Sequence, residues 1–540
     1  MTRRRLLQMA ACGAFATSLQ ARAADPASPA LAHAREPFPW DETPIADLQA
    51  AMASGKTSAL AITRQYLARI AAIDKATVNA VIEINPDAET IAAELDRERA
   101  GNKLRGPLHG IPVLIKDNID THDRMHTSAG SLALADSIPP RDSFVAQRLR
   151  DAGAVILGKT NLTEWANFRG SRSTSGWSGR GGLTVNPYVL DRNASGSSSG
   201  SAAAVSANLC AAAVGTETDG SIVSPSALCG VVGIKPTVGL ISRSGIIPIS
   251  HSQDTAGPIA RTVADAAALL TALAGIDPRD QATRAAEGHI APDYTKSLNP
   301  DGLRGARIGV LRRYAARNSA VTPLFDAALN VLRDHGAELI DATLPTTADG
   351  AGGAEYQVLL YEFKAGINAY LATLGSDAPV HSLQDLIAYN ERNRDREMPY
   401  YQQETFLQAQ KKGPLTDQAY LDALAKCRRL ARDEGIDAVM NEHKLDALVA
   451  PAGGPAGTID LLYGDRDVGG SSSPAAVAGY PNITVPAGFV HALPVGLSFF
   501  GRAWSEPTLI TLAYAFEQAT KHRKPPQFLP TLPSIGNSVR

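Results

Sequence analysis

The stretch from Asn193 to Thr237, NASGSSSGSAAAVSANLCAAAVGTETDGSIVSPSALCGVVGIKPT, constrains this chain more than any other. It joins a Gly/Ser run, an Ala-rich segment of helix-forming composition, a short apolar run and a second turn at Asp219-Gly220-Ser221. Glycine tolerates positive φ and puts no Cβ in the way, so such turns let backbone N–H groups point at a ligand. Two of them joined by a helix can bring hydroxyls and N–H groups to one place. An acyl-transfer site needs that combination of nucleophile, proton acceptor and oxyanion hole. The same composition also describes a flexible linker. Alone, the stretch leaves both readings open.

The 540 residues, 44% hydrophobic and 20% charged, supply core for one large α/β domain or for two or three average ones. A net charge of −2 gives no reason to expect a nucleic acid or an anionic membrane surface as partner. Near the start, Arg3-Arg4-Arg5-Leu6-Leu7 precedes an apolar run over 9–19 and an A-x-A site at Ala21-Arg22-Ala23. This reads as a bacterial twin-arginine signal over residues 1–23. It predicts a transient encounter with the twin-arginine export machinery and a periplasmic or secreted product. The apolar run is shorter than the ~20 residues that span a bilayer, so no stable membrane anchor is expected. Cys12 offers a lipoprotein alternative, against which the very short run before it argues. Without the signal, Cys210, Cys229 and Cys427 remain, an odd and sparse set that is no disulfide framework. Cys210 and Cys229 sit in apolar context and read as small buried hydrophobes.

Residues 24–42, Ala/Pro-rich, read as a flexible lead-in, and 528–540 as a C-terminal tail. Between them, helices are expected from Thr43 as N-cap with Pro44 at the first helical position, after Ser58, and from Asn85-Pro86 to about residue 99. Further helices are expected over 144–151, 262–273, 321–335 and 506–521, and strands over 78–84, 154–158, 240–249, 307–311, 338–340, 445–449, 482–485 and 493–501. Residues 169–184 form a long Ser/Gly/Arg loop, of the length that carries function or covers a site. Residues 357–436 are helical in pattern and form a flank beside the sheet, with Tyr400, Tyr401 and Phe406 as core rather than substrate contacts. Strands alternating with helices, without repeats or a linker, predict one α/β domain over 43–527 built on a twisted mixed sheet surrounded by helices.

Residues 108–120, LHGIPVLIKDNID, read as a turn entering a buried strand that ends on Lys116. A lysine there either snorkels to water or stays inside, where burial disfavours the ammonium and makes it a general base near neutral pH. Other chemistries find no support. There is no H-E-x-x-H and the eleven histidines are scattered, with His109 and His122 as loop or packing residues. No G-x-x-x-x-G-K-[ST] exists to cradle phosphate. Gly196-Ser197-Ser198-Ser199-Gly200 matches G-x-S-x-G, but a nucleophile elbow needs a strand before it, and 186–193 is loop-like.

In combination the motifs are specific. Residues 110–118, the Gly/Ser run over 195–201, Gly-Thr-Glu-Thr-Asp-Gly-Ser-Ile at 215–222, 229–237, 254–261 and 493–502 together resemble the amidase signature family, in the family's order and over roughly residues 43–527. The resemblance implies a cofactor-free hydrolase of linear amides with a Ser–cis-Ser–Lys triad on a single α/β domain. Motif by motif, Ser221 takes the nucleophile's place, Ser197 the bridging place with its cis peptide bond, and Lys116 the base. The N–H groups of Thr218, Asp219, Gly220 and Ser221 would face the oxyanion. Ser198 would either orient Lys116 by a hydrogen bond or stabilise the loop. Where the family often has Asp-Thr-Gly-Gly-Ser-Ile-Arg, this chain has Glu217, Asp219 and Val223 in place of its Asp, first Gly and Arg. With Ser224-Pro225-Ser226 and the loop over 177–182, this looks most like the bacterial peptide amidases, which release ammonia from C-terminal carboxamides of peptides. A broader aliphatic or aryl-acylamide hydrolase is the rival within the family. A periplasmic binding protein is the rival outside it, although a binder needs no neutral lysine.

Overall fold

The computed structural model describes residues 29–34, 36–315, 317–345 and 353–533. The expected signal segment over 1–23 lies outside them. A single mixed sheet of eleven strands crosses the described chain. In chain order these are β1 (Val81–Ile84), β2 (Pro112–Lys116), β3 (Val155–Thr160), β4 (Ala212–Glu217), β5 (Val232–Lys235), β6 (Thr255–Ala260), β7 (Arg307–Val310), β8 (Glu338–Asp341), β9 (Ala447–Pro451), β10 (Asn482–Val490) and β11 (Leu493–Phe500). Across the sheet they run β1-β3-β2-β4-β6-β5-β10-β11-β9-β7-β8. β2 is parallel to both β3 and β4, and β7 is parallel to β8 and β9. The remaining pairings are antiparallel.

Helices cover the sheet because its central strands are apolar on both faces. β2, β3, β4 and β6 are buried along their whole length, as expected of strands with both faces covered. The helical preface consists of α1 (Ile45–Ala53), α2 (Ala59–Ile73) and α3 (Ala88–Ala100). Ser58 caps α2 by accepting from Ala61 N–H. α1 starts one residue later than expected, with extended Pro44 at the cap position and no side-chain cap of its own. Its first N–H is satisfied from afar, by Asp265 Oδ1 at 2.9 Å. After α4 (Phe144–Asp151) come the two short helices of the opening stretch, α5 (Ser199–Ser206) and α6 (Val223–Leu228). α7 (Val263–Leu273), capped by Thr262, and α8 (Thr322–Asp334) follow.

The expected helical flank is present, led by α9 (Ala354–Leu371), α10 (Leu383–Arg392), α11 (Glu404–Gln410) and α12 (Gln418–Arg428). Tyr401 and Phe406 are buried, and Phe406 stacks on Phe363 with ring centroids 5.2 Å apart. Arg169 ties the flank to the long loop. It is fully buried, pairs with Glu164 at 2.7 Å, and lies over the rings of Trp177 and Tyr401. Trp177–Ser178 and Gly182–Leu183 make a small hairpin within that loop.

Several expectations change. Residues 240–249 form no strand. Gly245 and Pro248 interrupt the run, and only isolated bridges remain, including Ile246 to Ile119. β4, β5 and β6 are not among the expected strands. β6 carries Gly257-Pro258, which reads as a turn, yet a Cβ at Gly257 would lie 2.0 Å from the Ile234 carbonyl, so glycine is there for close backbone approach. In the lead-in, Leu31 and Trp40 are buried against the core, and in the tail Leu529 N–H donates to the Tyr188 carbonyl. Phe406→Ala should lower stability by about 3–5 kcal/mol, the usual cost of emptying a buried aromatic site. Urea unfolding followed by fluorescence measures it, and an unchanged midpoint would show the flank to be held elsewhere.

Candidate active site

Two neighbouring parallel strands, β2 and β4, end side by side, and chemistry in α/β sheets gathers beyond such carboxyl ends. Lys116 is the last residue of β2, and Thr216 and Glu217 are the last of β4. Lys116 takes the inside alternative. It is fully buried, and its Nζ lies 2.8 Å from Ser197 Oγ, 2.8 Å from Thr216 Oγ1 and 3.2 Å from the Thr216 carbonyl. Burial pulls its pKa down to about 7, against the opposing charges of Asp254 and Glu217. Asn118 Nδ2 also donates to Thr216 Oγ1, at 3.1 Å.

Ser197 is 1% exposed, and the Gly196–Ser197 peptide bond is cis. Ser198 N–H donates to the Ser221 carbonyl at 3.2 Å, which joins the Gly/Ser run to the Asp219-Gly220-Ser221 turn. Ser198 does not bond Lys116. Its hydroxyl donates to the Thr216 carbonyl at 3.0 Å and accepts from Thr216 N–H at 3.2 Å. It therefore acts on the lysine only by holding the residue that holds it. Gly215 permits this approach, since a Cβ there would sit 2.8 Å from Ser198 Oγ.

The second turn is built by Glu217, whose Oε2 accepts from Ile222 N–H at 2.7 Å and Val223 N–H at 3.0 Å. Burial pushes the pKa of that carboxyl up, against the opposing charge of buried Lys235. Gly220 takes φ +79°, which turns the chain into α6. The N–H groups of Gly220 and Ser221 donate to no acceptor among the described residues. Thr218 Oγ1 donates to Asp254 Oδ1 at 2.6 Å, and Ser472 Oγ to Asp219 Oδ1 at 2.6 Å. Ser221 is 8% exposed, so the turn lies just beneath the surface of the molecule. Beside it is a cavity of about 400 Å³ bounded by Asn118, Thr216 and Thr218, with an apolar wall over 246–249. Lys116, Ser197 and Ser221 are not among its lining residues; Thr216 separates it from the lysine.

Lys116 and Ser197 are thus in contact, the bond from Ser198 N–H to the Ser221 carbonyl joins the second turn to their loop, and Thr216, Asn118 and Asp254 lie against them. Each of these three lies inside a motif already singled out, but nothing local assigned it a contact.

The Amidase family profile matches residues 61–510. A probable amidase of Arabidopsis thaliana is 44% identical over 501 residues, 91% of this chain and 93% of that protein. The chain belongs to the amidase family. Native peptide amidase from Stenotrophomonas maltophilia superimposes with a TM-score of 0.87 at 55% identity, over 91% of this chain and all of that one. A peptide amidase in complex with the competitive inhibitor chymostatin gives a TM-score of 0.88, also at 55% identity, over 91% of this chain and all of that one. As a member of the family the protein is an amide hydrolase. In this amidase, Ser198→Ala removes both bonds to the Thr216 backbone and should lower stability by about 1–3 kcal/mol, the cost of leaving buried polar groups unpaired. Chemical denaturation of the purified variant checks it, and an unaltered midpoint would mean that Thr216 is fixed by other contacts.

Proposed function

We propose that this amidase removes ammonia from C-terminal carboxamides of peptides through a Ser221–Ser197–Lys116 triad. The buried amine of Lys116, 2.8 Å from Ser197 Oγ and with its pKa brought to about 7, is the observation that carries the reading. A neutral amine has two N–H bonds and one lone pair. The Thr216 carbonyl can only accept, and Thr216 Oγ1 accepts as well, so those two contacts use both N–H bonds. The lone pair is left for the Ser197 hydroxyl. Ser197 then gives its proton to Lys116 while taking one from Ser221, whose Oγ attacks the amide carbon.

The N–H groups from Thr218 to Ser221 would hold the oxyanion. One such donor is worth on the order of 10²–10³ in kcat in other hydrolases. As the tetrahedral species collapses, the C–N bond breaks and the proton returns through Ser197 to the departing ammonia. Water, giving its proton along the same path, cleaves the acyl ester and leaves a free C-terminal carboxylate. The 55% identity to the Stenotrophomonas peptide amidase supports a peptide carboxamide over a simple aliphatic or aryl amide as substrate. The twin-arginine pattern near the start fits it too, since export would bring the folded enzyme to peptides outside the cytoplasm.

Ammonia release from a panel of peptide amides, free-acid peptides and simple amides tests the substrate. Peptide amides should be cleaved with internal bonds intact, and Ser221→Ala should abolish both turnover and labelling by an activated-serine probe. Preferential cleavage of simple amides would overturn the peptide reading, and labelling that persists in Ser221→Ala would overturn the nucleophile.

The pH profile tests the base. Lys116 is active when neutral, so kcat/KM should rise with pH up to about 7 and then level, falling roughly a hundredfold two units below. Lys116→Ala should lose nearly all activity. A rate that stays flat down to about pH 5 is incompatible with a lysine base.

A further inference from the structure

The turn that carries Ser221 is gripped from outside its own motif. Residues 249–254 form a strap between that turn and α9. On one side the strap takes hold of Thr218 twice. Asp254 Oδ1 accepts from the Thr218 hydroxyl at 2.6 Å, and Gln253 Nε2 donates to the Thr218 carbonyl at 3.3 Å. Because a carbonyl can only accept, the amide nitrogen of Gln253 must face it. Asp254 Oδ2 in turn accepts from Ile249 and Ser250 N–H, both at 2.8 Å, which closes the strap on itself.

On the other side, α9 presents two carboxyls one heptad apart, and such residues share a helix face. Glu355 Oε1 accepts the second Nε2 hydrogen of Gln253 at 2.8 Å. Glu362 accepts from the hydroxyls of Ser250 and Ser252 and from Ser252 N–H, at 2.5 to 3.0 Å. Glu355 also lies close to the carboxyl of Asp219, inside the turn itself. Burial and the adjoining Asp219 carboxyl both push the Glu355 pKa upward. One amide nitrogen thus spans from the helical flank to the peptide unit between Thr218 and Asp219.

We propose that Gln253 and Glu355 are positioning residues that hold the Thr218–Ser221 backbone where it meets the developing oxyanion, so that α9 sets the geometry of the catalytic turn. This rests on the oxyanion role proposed above for that turn. The physical reason is the steep distance dependence of charge stabilisation. The turn contains Gly220 at positive φ and has no strand pairing beyond Glu217, so its N–H directions depend on what fixes the Thr218 carbonyl and the Asp219 side chain. A misplacement of about 1 Å in such a site can cost 10²-fold in rate.

The test compares wild-type enzyme with Gln253→Met, Glu355→Ala and Glu355→Gln on a peptide amide, and with a peptide aldehyde as inhibitor. Ser221 Oγ adds to the aldehyde carbon, its proton leaves through Ser197, and the former carbonyl oxygen occupies the oxyanion position. Gln253→Met should lower kcat about tenfold and weaken the aldehyde by a similar factor, with KM within about twofold of wild type. Glu355→Ala should act in the same direction. Glu355→Gln, which still offers Oε1 to Gln253, should recover most of the rate lost in Glu355→Ala, and this pair carries the test if Gln253→Met does not fold. Wild-type kcat and aldehyde affinity in Gln253→Met would overturn the proposal, as would a loss confined to KM or to thermal stability. If wild type itself neither binds the aldehyde nor is labelled at Ser221, the triad reading fails. If wild type responds and Gln253→Met matches it, only the positioning role is lost.

Discussion

A primary amine buried at the end of a buried strand is the constraint around which this molecule is arranged. Taking Lys116 out of solvent costs its ammonium form far more than its neutral form. The resulting displacement of its pKa from 10.5 to about 7 corresponds to roughly 5 kcal/mol between the two protonation states. Asp254 and Glu217 pull the other way and do not win, because the desolvation of the amine outweighs their attraction. An amine in that state must have every polar contact accounted for, and two of its three contacts go to one residue, Thr216. Ser198, Gly215 and Asn118 then matter because they keep Thr216 in place.

The sheet explains why such a lysine is available at all. β2 and β4 are parallel neighbours, so their carboxyl ends emerge together, one ending in Lys116 and the other leading into the turn of Ser221. The strand that flanks β4, β6, is antiparallel to it, and the chain leading into β6 is the strap over 249–254. The same arrangement that buries the amine thus delivers a second segment against Thr218. The flank seals that segment from outside through Glu355 and Glu362, so the helical cover is linked through Gln253 to the turn of Ser221.

Most elements were legible because their signals are local. α2 begins after a capping Ser58, α7 after Thr262, and α4 has the bounds its periodicity predicts. The failures have a common cause. β6 contains Gly257-Pro258, which locally reads as a turn, but the glycine answers to the Ile234 carbonyl of another strand. Residues 240–249 are rich in isoleucine, as a strand is, yet Gly245 and Pro248 leave them only isolated bridges. Ser198 was assigned to the right loop, and its partner was decided by β4 rather than by its own neighbours. Gln253 and Glu355 carried no signal of any kind, since 102 residues separate them and neither belongs to a pattern that periodicity or capping would reveal.

The sequence by itself determined the family and the kind of fold and pointed to the residues of the candidate site, because turns of glycine and serine and a lysine closing an apolar strand are statements about neighbouring residues. Only the tertiary structure decided that Lys116 stays inside rather than reaching water. It also decided that Thr216 rather than Ser198 is what the amine touches, and that a helix of the flank reaches the turn of Ser221. Desolvation and hydrogen-bond geometry depend on what surrounds a group in space, and those surroundings come from strands and helices far apart along the chain.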